Sequence, residues 1–393
     1  MKRLFAFVLS LGLTVAAHAQ MLQPPEVAAK SYLLVDLTTG QTLAEREADA
    51  PADPASLTKL MTAYVVFVAL RDHKLSLDQT LPVSLRAWQE RKGGGSLMFV
   101  EPRMTPKVSD LLRGVIINSG NDASVVLAEG VGGTLDQFVA MMNRQAQAFG
   151  LKNTVFKNAT GLTEAGHKST ARDLSVIASH IINDFPEFYK LYSIRKYRYD
   201  GAPASNENNR NVLLVRDPSV DGMKTGYTDA AGYCLIASAQ RDFPNLAANG
   251  AAGGKRRLLS IVLNTTSMEA RANESQKLLN WGFMAFDTVR LFEGDKVISS
   301  VPVWKGKVNE AKLGSSGAVF ISVPRGEGAK LQTKIERTDP LVAPLAKGQR
   351  VGTLKVTTGA GAVLAERPLV VTEAVEEAGL LGRAWDAIRL WIK

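Results

Sequence analysis

Ser56 and Lys59 stand three positions apart in Asp53-Pro54-Ala55-Ser56-Leu57-Thr58-Lys59. On a helix that spacing places hydroxyl and amine side by side, one turn apart. A serine hydroxyl is a weak nucleophile until a base takes its proton, and Lys59 can act as that base only as a neutral amine. Its reference pKa of ~10.4 must then fall by roughly three units, about 4 kcal/mol of differential stabilisation, which burial plus a second nearby cation can supply. A second cation is therefore expected. S-x-x-K alone arises often by chance, so two further stretches decide the matter. Ser119-Gly120-Asn121 falls between two helical patterns, Val108 to Asn118 and Ala123 to Glu129, and reads as a tight inter-helix loop. Taken alone it is an ordinary turn, built of residues that turns favour. Lys224-Thr225-Gly226 precedes the strand-like run Tyr233 to Ala237 and alone would be a turn with an exposed lysine. In this order and these contexts, the three are hard to dismiss as turns.

S-x-x-K, then S-x-N, then K-T-G is the motif set of penicillin-binding proteins and class A β-lactamases. Beyond the triplets, Pro54 to Lys59, Gly95 to Val100, Ser119 to Ala123, Val220 to Gly226 and Leu278 to Phe283 are similar to segments of one family. This is the low-molecular-mass penicillin-binding proteins that are D-alanyl-D-alanine carboxypeptidases of the five/six type. The resemblance covers nearly the whole chain after its first residues. It implies an α/β (α+β) transpeptidase-like fold, an antiparallel sheet with a helical cluster, followed by a small all-β domain. It implies a substrate too, the peptidoglycan stem peptide ending in D-Ala-D-Ala, with β-lactams as covalent inhibitors and no cofactor.

Carried onto this sequence, the resemblance makes Ser56 the nucleophile, Lys59 the general base and Ser119 the proton relay to the leaving amine. Asn121 holds the substrate amide and the lysine. Lys224 supplies the second cation and, with Thr225 of the same Lys224-Thr225-Gly226 motif, binds the terminal carboxylate. The oxyanion would sit between the backbone N–H groups of Ser56 and Tyr227, since preorganised donors are usually the largest catalytic contribution. Tyr227 stands where the family often has histidine. Arg271 is implied as another carboxylate ligand and Arg210 as a residue lining the site; an ordinary surface arginine is the competing reading of each. A class A β-lactamase would need a carboxylate to activate the deacylating water, and no E-x-x-L-N segment lies between Ser119 and Lys224. A D,D-endopeptidase and a non-catalytic wall-shape scaffold are two more rival functions, and intact Ser56, Lys59 and Lys224 oppose the scaffold.

These residues need elements to hold them. A helix is expected from the Asp53 N-cap, with Pro54 at its first position, to about Leu70. Leu57, Leu60, Met61, Tyr64, Val65 and Val68 follow its period as one buried face. Strand-like runs between Ser31 and Ala44 flank a Thr38-Thr39-Gly40 turn. Helices follow from Leu135 to Phe149, with Thr134 and Gln137 as a capping box, and between Thr170 and Pro186. Strands at Tyr233 to Ala239 and Leu258 to Leu263 enclose a long hairpin loop, Asp242 to Gly254. A last helix from about Met268 to Phe286 ends the first domain.

With 393 residues, 46% of them hydrophobic and 22% charged, the chain is long enough for two packed domains. The net charge of +9 is dispersed, with no basic helix or zinc-ligand spacing, so nucleic acid is not the expected partner. Residues 1–19 read as a signal peptide: Lys2 and Arg3, an apolar run from Leu4 to Ala17, then Ala17-His18-Ala19. That run is shorter than the ~20 residues of a membrane span. The serine peptidase domain is expected over 20–288 and an all-β domain over 289–374. Over 375–393 an amphipathic helix places Leu380, Leu381, Ala384, Trp385, Ile388, Trp391 and Ile392 on one side, and reads as an anchor lying in a membrane surface. The expected location is the periplasmic face of the bacterial inner membrane. Cys234 is the sole cysteine and is read as a buried strand residue. The histidines lack paired metal-ligand spacing.

Overall fold

The computed structural model describes residues 23–243, 254–359 and 361–391; the expected signal peptide, residues 244–253 of the expected hairpin loop and Ile392 of the expected anchor helix lie outside them. Strands β1 (Ser31–Asp36) and β2 (Gln41–Arg46) form the first hairpin. At its turn Asp36 accepts the N–H groups of Thr38 and Thr39 at 2.9 and 3.2 Å. With β3 (Val220–Thr228), β4 (Gly232–Phe243) and β5 (Gly254–Thr265) they build an antiparallel sheet in the order β2-β1-β5-β4-β3. Both faces are covered. Leu33, Cys234, Ile236 and Ile261 point into a helical cluster, while their alternating neighbours Leu34, Leu235, Ala237 and Val262 pack with Leu278 and Leu279. This is why the central strands read as continuous apolar runs rather than alternating ones.

The helices between the strands are α1 (Lys59–Arg71), α2 (Leu85–Gln89), α3 (Val108–Arg113), α4 (Asn121–Gly132), α5 (Leu135–Ala148), α6 (Ala171–Asp184), α7 (Pro186–Tyr189) and α8 (Leu213–Arg216). Helix α9 (Met268–Ala285) covers the other face of the sheet. Hydroxyl caps start four of them: Ser84 accepts from the Ala87 N–H, Thr134 from Gln137, Thr170 from Asp173 and Ser267 from Ala270. Helix α1 departs from expectation in two ways. Its entry is a 3₁₀ turn, Ala55–Thr58, preceded by Pro54 with no side-chain cap, so Asp53 is not the N-cap. And it is buried nearly all round, including Ala63, Val66 and Ala69, rather than along one face. A helix apolar on every side belongs at the centre of a core.

The second domain follows α9 without a linker. Strand β6 (Phe286–Phe292) pairs with β9 (Val319–Pro324). Strands β7 (Val297–Trp304), β8 (Glu310–Gly314), β10 (Gln332–Arg337), β11 (Leu341–Val342), β12 (Arg350–Thr357) and β13 (Val363–Val371) form a sheet in the order β10-β12-β13-β8-β7-β11. The two domains share a buried polar junction. Arg256 of β5 donates to Asp36 at 2.7 Å and to the carbonyls of Gly282 and Phe286, and Ser322 of β9 donates to Asp36 at 2.5 Å. Gln41 exchanges hydrogen bonds with the Ser322 backbone, and Arg367 of β13 donates to the Thr39 carbonyl.

The chain's final described helix, α10 (Leu380–Trp391), buries none of its residues. Its polar side is tied to the β domain: Asp386 accepts the Lys305 N–H at 2.7 Å, and Arg389 lies over the Trp304 ring. Leu381 and Trp391 are 90% and 89% exposed. Among the described residues no single helix is long and apolar enough to cross a membrane.

Candidate active site

The 3₁₀ turn and first turn of α1 bring Ser56 and Lys59 together, with Lys59 Nζ 3.0 Å from Ser56 Oγ. Ala55, just before the nucleophile, holds φ at +46°. Ser119 does the same at +61°, closing the π-helical turn Gly114–Asn118. Left-handed backbone costs an L-residue about 1–2 kcal/mol, and here it occurs at or beside two serines that line one cleft. Two glycines let the walls close on them. A Cβ on Gly226 would sit 3.2 Å from Ala55 Cβ and Pro54 O, and one on Gly161 (φ +84°) would lie 1.8 Å from Ala55 O. Strand β3 and the 160s loop therefore touch the nucleophile's own turn.

Lys59 is 1% exposed and donates to Asn121 Oδ1 at 2.7 Å and Thr160 O at 2.6 Å as well as to Ser56. Burial is the main cause that brings its pKa down to about 7; Arg210 adds to this, while Glu90 and Asp122 oppose it. Lys224, equally buried, donates to Ser119 Oγ and Thr225 O, each at 2.9 Å. Its pKa is held well below the ordinary value by burial first, then by Lys59, Arg210 and Arg271. This corrects the assignment made from sequence. Burial, not Lys224, does most of the work on Lys59, and Arg210 is the guanidinium that adds to it. Lys224 is itself driven toward the neutral form, as expected when two amines share one dry site.

The K-T-G triplet lies within β3 rather than ahead of a strand, so Lys224 and Thr225 face opposite sides of a regular ladder, with Gly226 opposite Cys234. A cleft of about 460 Å³ is lined by Ser56, Ser119, Asn121, Thr225, Gly226, Tyr227, Arg210 and Arg271, among others. Every site residue expected from sequence thus lines this cleft or, for Lys59 and Lys224, donates to a serine that does. Arg271 reaches it from α9, donating to Gly226 O at 3.0 Å. Arg210 reaches it from the loop before α8, where it donates to Ser96. Tyr227 is exposed, donates to Asp229 at 2.7 Å and packs on Tyr233 with ring centroids 4.3 Å apart. Cys234 lies behind the wall, its thiol pushed up to about 11 by burial. Among the described residues no group of three or more His, Cys, Asp or Glu side chains is placed to hold a metal.

Several contributors were not given a role from the sequence. Asp122 accepts the backbone N–H groups of Met98, Phe99, Val100 and Ala123, which fixes the Gly95–Val100 wall against α4. Its place directly after Ser119-Gly120-Asn121 is the signal that could have drawn attention to it. Thr160 offers a carbonyl, which no side-chain pattern reveals. Glu90 is buried, paired with Arg86 at 2.5 Å, and its second oxygen has no hydrogen-bond partner among the described residues.

The arrangement is that of a serine acyl-transfer enzyme, and comparison with known proteins assigns its lineage. The family model described as D-alanyl-D-alanine carboxypeptidase matches residues 18–250, and the one described as penicillin-binding protein 5, C-terminal domain, matches 286–377. The chain belongs to the D-alanyl-D-alanine carboxypeptidase family. D-alanyl-D-alanine carboxypeptidase DacC of Escherichia coli (strain K12) is 39% identical over 389 residues, covering 98% of this chain and 94% of that protein. D-alanyl-D-alanine carboxypeptidase DacA of Haemophilus influenzae is 38% identical over 393 residues, covering 99% and 96%. The crystal structure of penicillin binding protein 5 from Haemophilus influenzae superposes with a TM-score of 0.83 at 40% identity, covering 91% of this chain and 100% of that one. The D-alanyl-D-alanine carboxypeptidase family membership makes this chain a serine peptidase with the transpeptidase-like fold and β-domain anticipated from its motifs.

Proposed function

We propose that this peptidase removes the terminal D-alanine from peptidoglycan stem peptides through an acyl-enzyme on Ser56. Lys59 Nζ, neutral in part at pH 7, takes the Ser56 proton as Oγ attacks the penultimate D-alanine carbonyl. The backbone N–H groups of Ser56 and Tyr227 receive the oxyanion. Ser119, bonded to Lys224, passes a proton to the departing D-alanine nitrogen. Thr225, Lys224 and Arg271 hold that residue's carboxylate, and Asn121 orients the donor amide. Water then cleaves the ester and restores Ser56. A β-lactam would enter the same sequence and stall at the ester.

The observation that carries this reading is the 3.0 Å contact between Ser56 Oγ and a buried amine brought down to about 7. Incubation with diacetyl-L-Lys-D-Ala-D-Ala should release D-alanine, and penicillin should abolish the release. Ser56→Ala should lose both turnover and covalent labelling; D-alanine release at the wild-type rate by that variant would overturn the proposal. The exposed apolar side of α10 supports a further part of the reading: the helix lies in a membrane surface, at the periplasmic face of the inner membrane, and the β domain stands between it and the cleft.

A further inference from the structure

Ser119 closes a turn that local preferences do not favour. The turn Gly114–Asn118 is π-helical, a wide and rarely used form, and Ser119 ends it at a φ of +61°. The N–H groups of Ser119 and Gly120 both fall on Gly114 O. Strain of this kind persists only where the surrounding structure over-determines it. Something outside the turn must therefore fix it.

The residue just before Ser119 makes that connection. Asn118 is 2% exposed, and its Nδ2 donates to Tyr197 O at 3.0 Å and to Asn206 O at 2.5 Å. These carbonyls belong to the two limbs of a hairpin between α7 and α8, closed by the Tyr197 N–H on Glu207 O and the Asn209 N–H on Arg195 O, each at 2.8 Å. One carboxamide thus uses both its N–H groups across the hairpin. The hairpin is itself held elsewhere. Tyr197 Oη donates to Asp110 of α3 at 3.0 Å, Asn206 Nδ2 to Leu97 O at 2.8 Å and Asn211 Nδ2 to Gly222 O of β3 at 3.0 Å. It forms a fixed platform, and Asn118 hangs the strained turn on it.

We infer that Asn118 is a positioning residue for the proton relay: it holds the turn that keeps Ser119 Oγ on the Lys224 amine, 2.9 Å away. It does not line the cleft and acts only through Ser119. The inference rests on the function proposed above, in which Ser119 passes a proton to the departing nitrogen. That step makes a selective demand. An amide nitrogen must be protonated as its bond breaks, whereas a lactate oxygen leaves with much less help from a general acid. Loosening Ser119 should penalise amide cleavage and spare ester cleavage.

The test compares kcat/KM, which covers the steps through acylation, for diacetyl-L-Lys-D-Ala-D-Ala and for the depsipeptide diacetyl-L-Lys-D-Ala-D-lactate. Ser119→Ala sets the pattern: the amide should fall by about 100- to 10,000-fold, the contribution of a positioned general acid, and the ester by far less. Asn118→Ala should repeat the pattern, with a fall of about 10- to 100-fold on the amide and under about threefold on the ester. Asn118→Leu, of similar size but without N–H donors, carries the same comparison should the alanine variant fail to fold. An equal fall on both substrates, or an amide rate left at the wild-type value, overturns the inference alone. Ser119→Ala slowing both substrates alike overturns the relay and this inference with it. Release of D-alanine from the tripeptide by no form of the enzyme, wild type included, overturns the carboxypeptidase reading itself.

Discussion

The proton that Ser56 loses passes to an amine whose affinity for it is set by opposing neighbours. Burial and Arg210 lower the Lys59 pKa, and Glu90 and Asp122 raise it. Acylation by penicillin should accordingly gain about tenfold per pH unit up to an inflection near 7. Glu90→Gln removes a negative charge that favours the ammonium, so the inflection should move to lower pH and acylation at pH 6 should quicken; a move to higher pH would contradict the assignment. His167 titrates in the opposite sense for stability. It is buried, accepts the Lys157 N–H at Nδ1 and meets Thr58 Oγ1 at 2.8 Å through Nε2, which must then carry the ring proton. Burial holds its pKa near 4, below the ~6.5 of an unfolded chain. The unfolded state thus binds the extra proton between those values. The contribution of His167 is complete above pH 6.5 and is lost as pH falls toward 4, up to about 3 kcal/mol. Urea midpoints at pH 7 and pH 4.5 should differ less in His167→Gln than in the wild type. Ser56 and Lys59 were legible in the sequence because their spacing is local, and Lys224 because it heads a Lys-Thr-Gly triplet that the motif set carries. Glu90 and Thr160 were not, since only tertiary packing brings them to Lys59.

At the scale of elements, the cleft exists because β3 can lie against the first turn of α1. Gly226 has no side chain where a methyl group would press on Ala55 and Pro54. Gly226→Ala should push the strand outward and misplace Thr225 and Tyr227, lowering kcat/KM by about 10- to 100-fold with little change in far-UV circular dichroism. The hairpin, the capped helices α5 and α6 and the strands β4 and β5 were readable from period and caps. Two elements were not. The Lys-Thr-Gly triplet is made of turn-favouring residues, yet ladder pairing with β4 overrides that preference and makes it strand. Helix α1 follows an amphipathic pattern, but its small residues Ala63 and Ala69 are buried by neighbouring helices that no local window reveals.

At the scale of the molecule, two domains meet at the buried Arg256–Asp36 pair. Arg256→Leu leaves Asp36 dry and without its cation, and should cost about 3–5 kcal/mol of stability, measured by thermal or urea unfolding. The far end of the β domain bears α10. Binding to vesicles containing anionic lipid should weaken by about tenfold in a Trp385→Glu, Trp391→Glu variant, with turnover of a soluble peptide unaffected. The order of the peptidase sheet adds a mechanical corollary. Contacts to the β domain are made at the β1–β2 turn, at the central strand β5 and, through Phe243 on Phe320, at the end of β4, whereas β3, the strand that lines the cleft, is the edge opposite β2. A pull transmitted from a surface-held helix through the second domain would enter that sheet at its rear and centre rather than at β3, and the jaws of the enzyme would keep their spacing while the body tilts or stretches on its stalk.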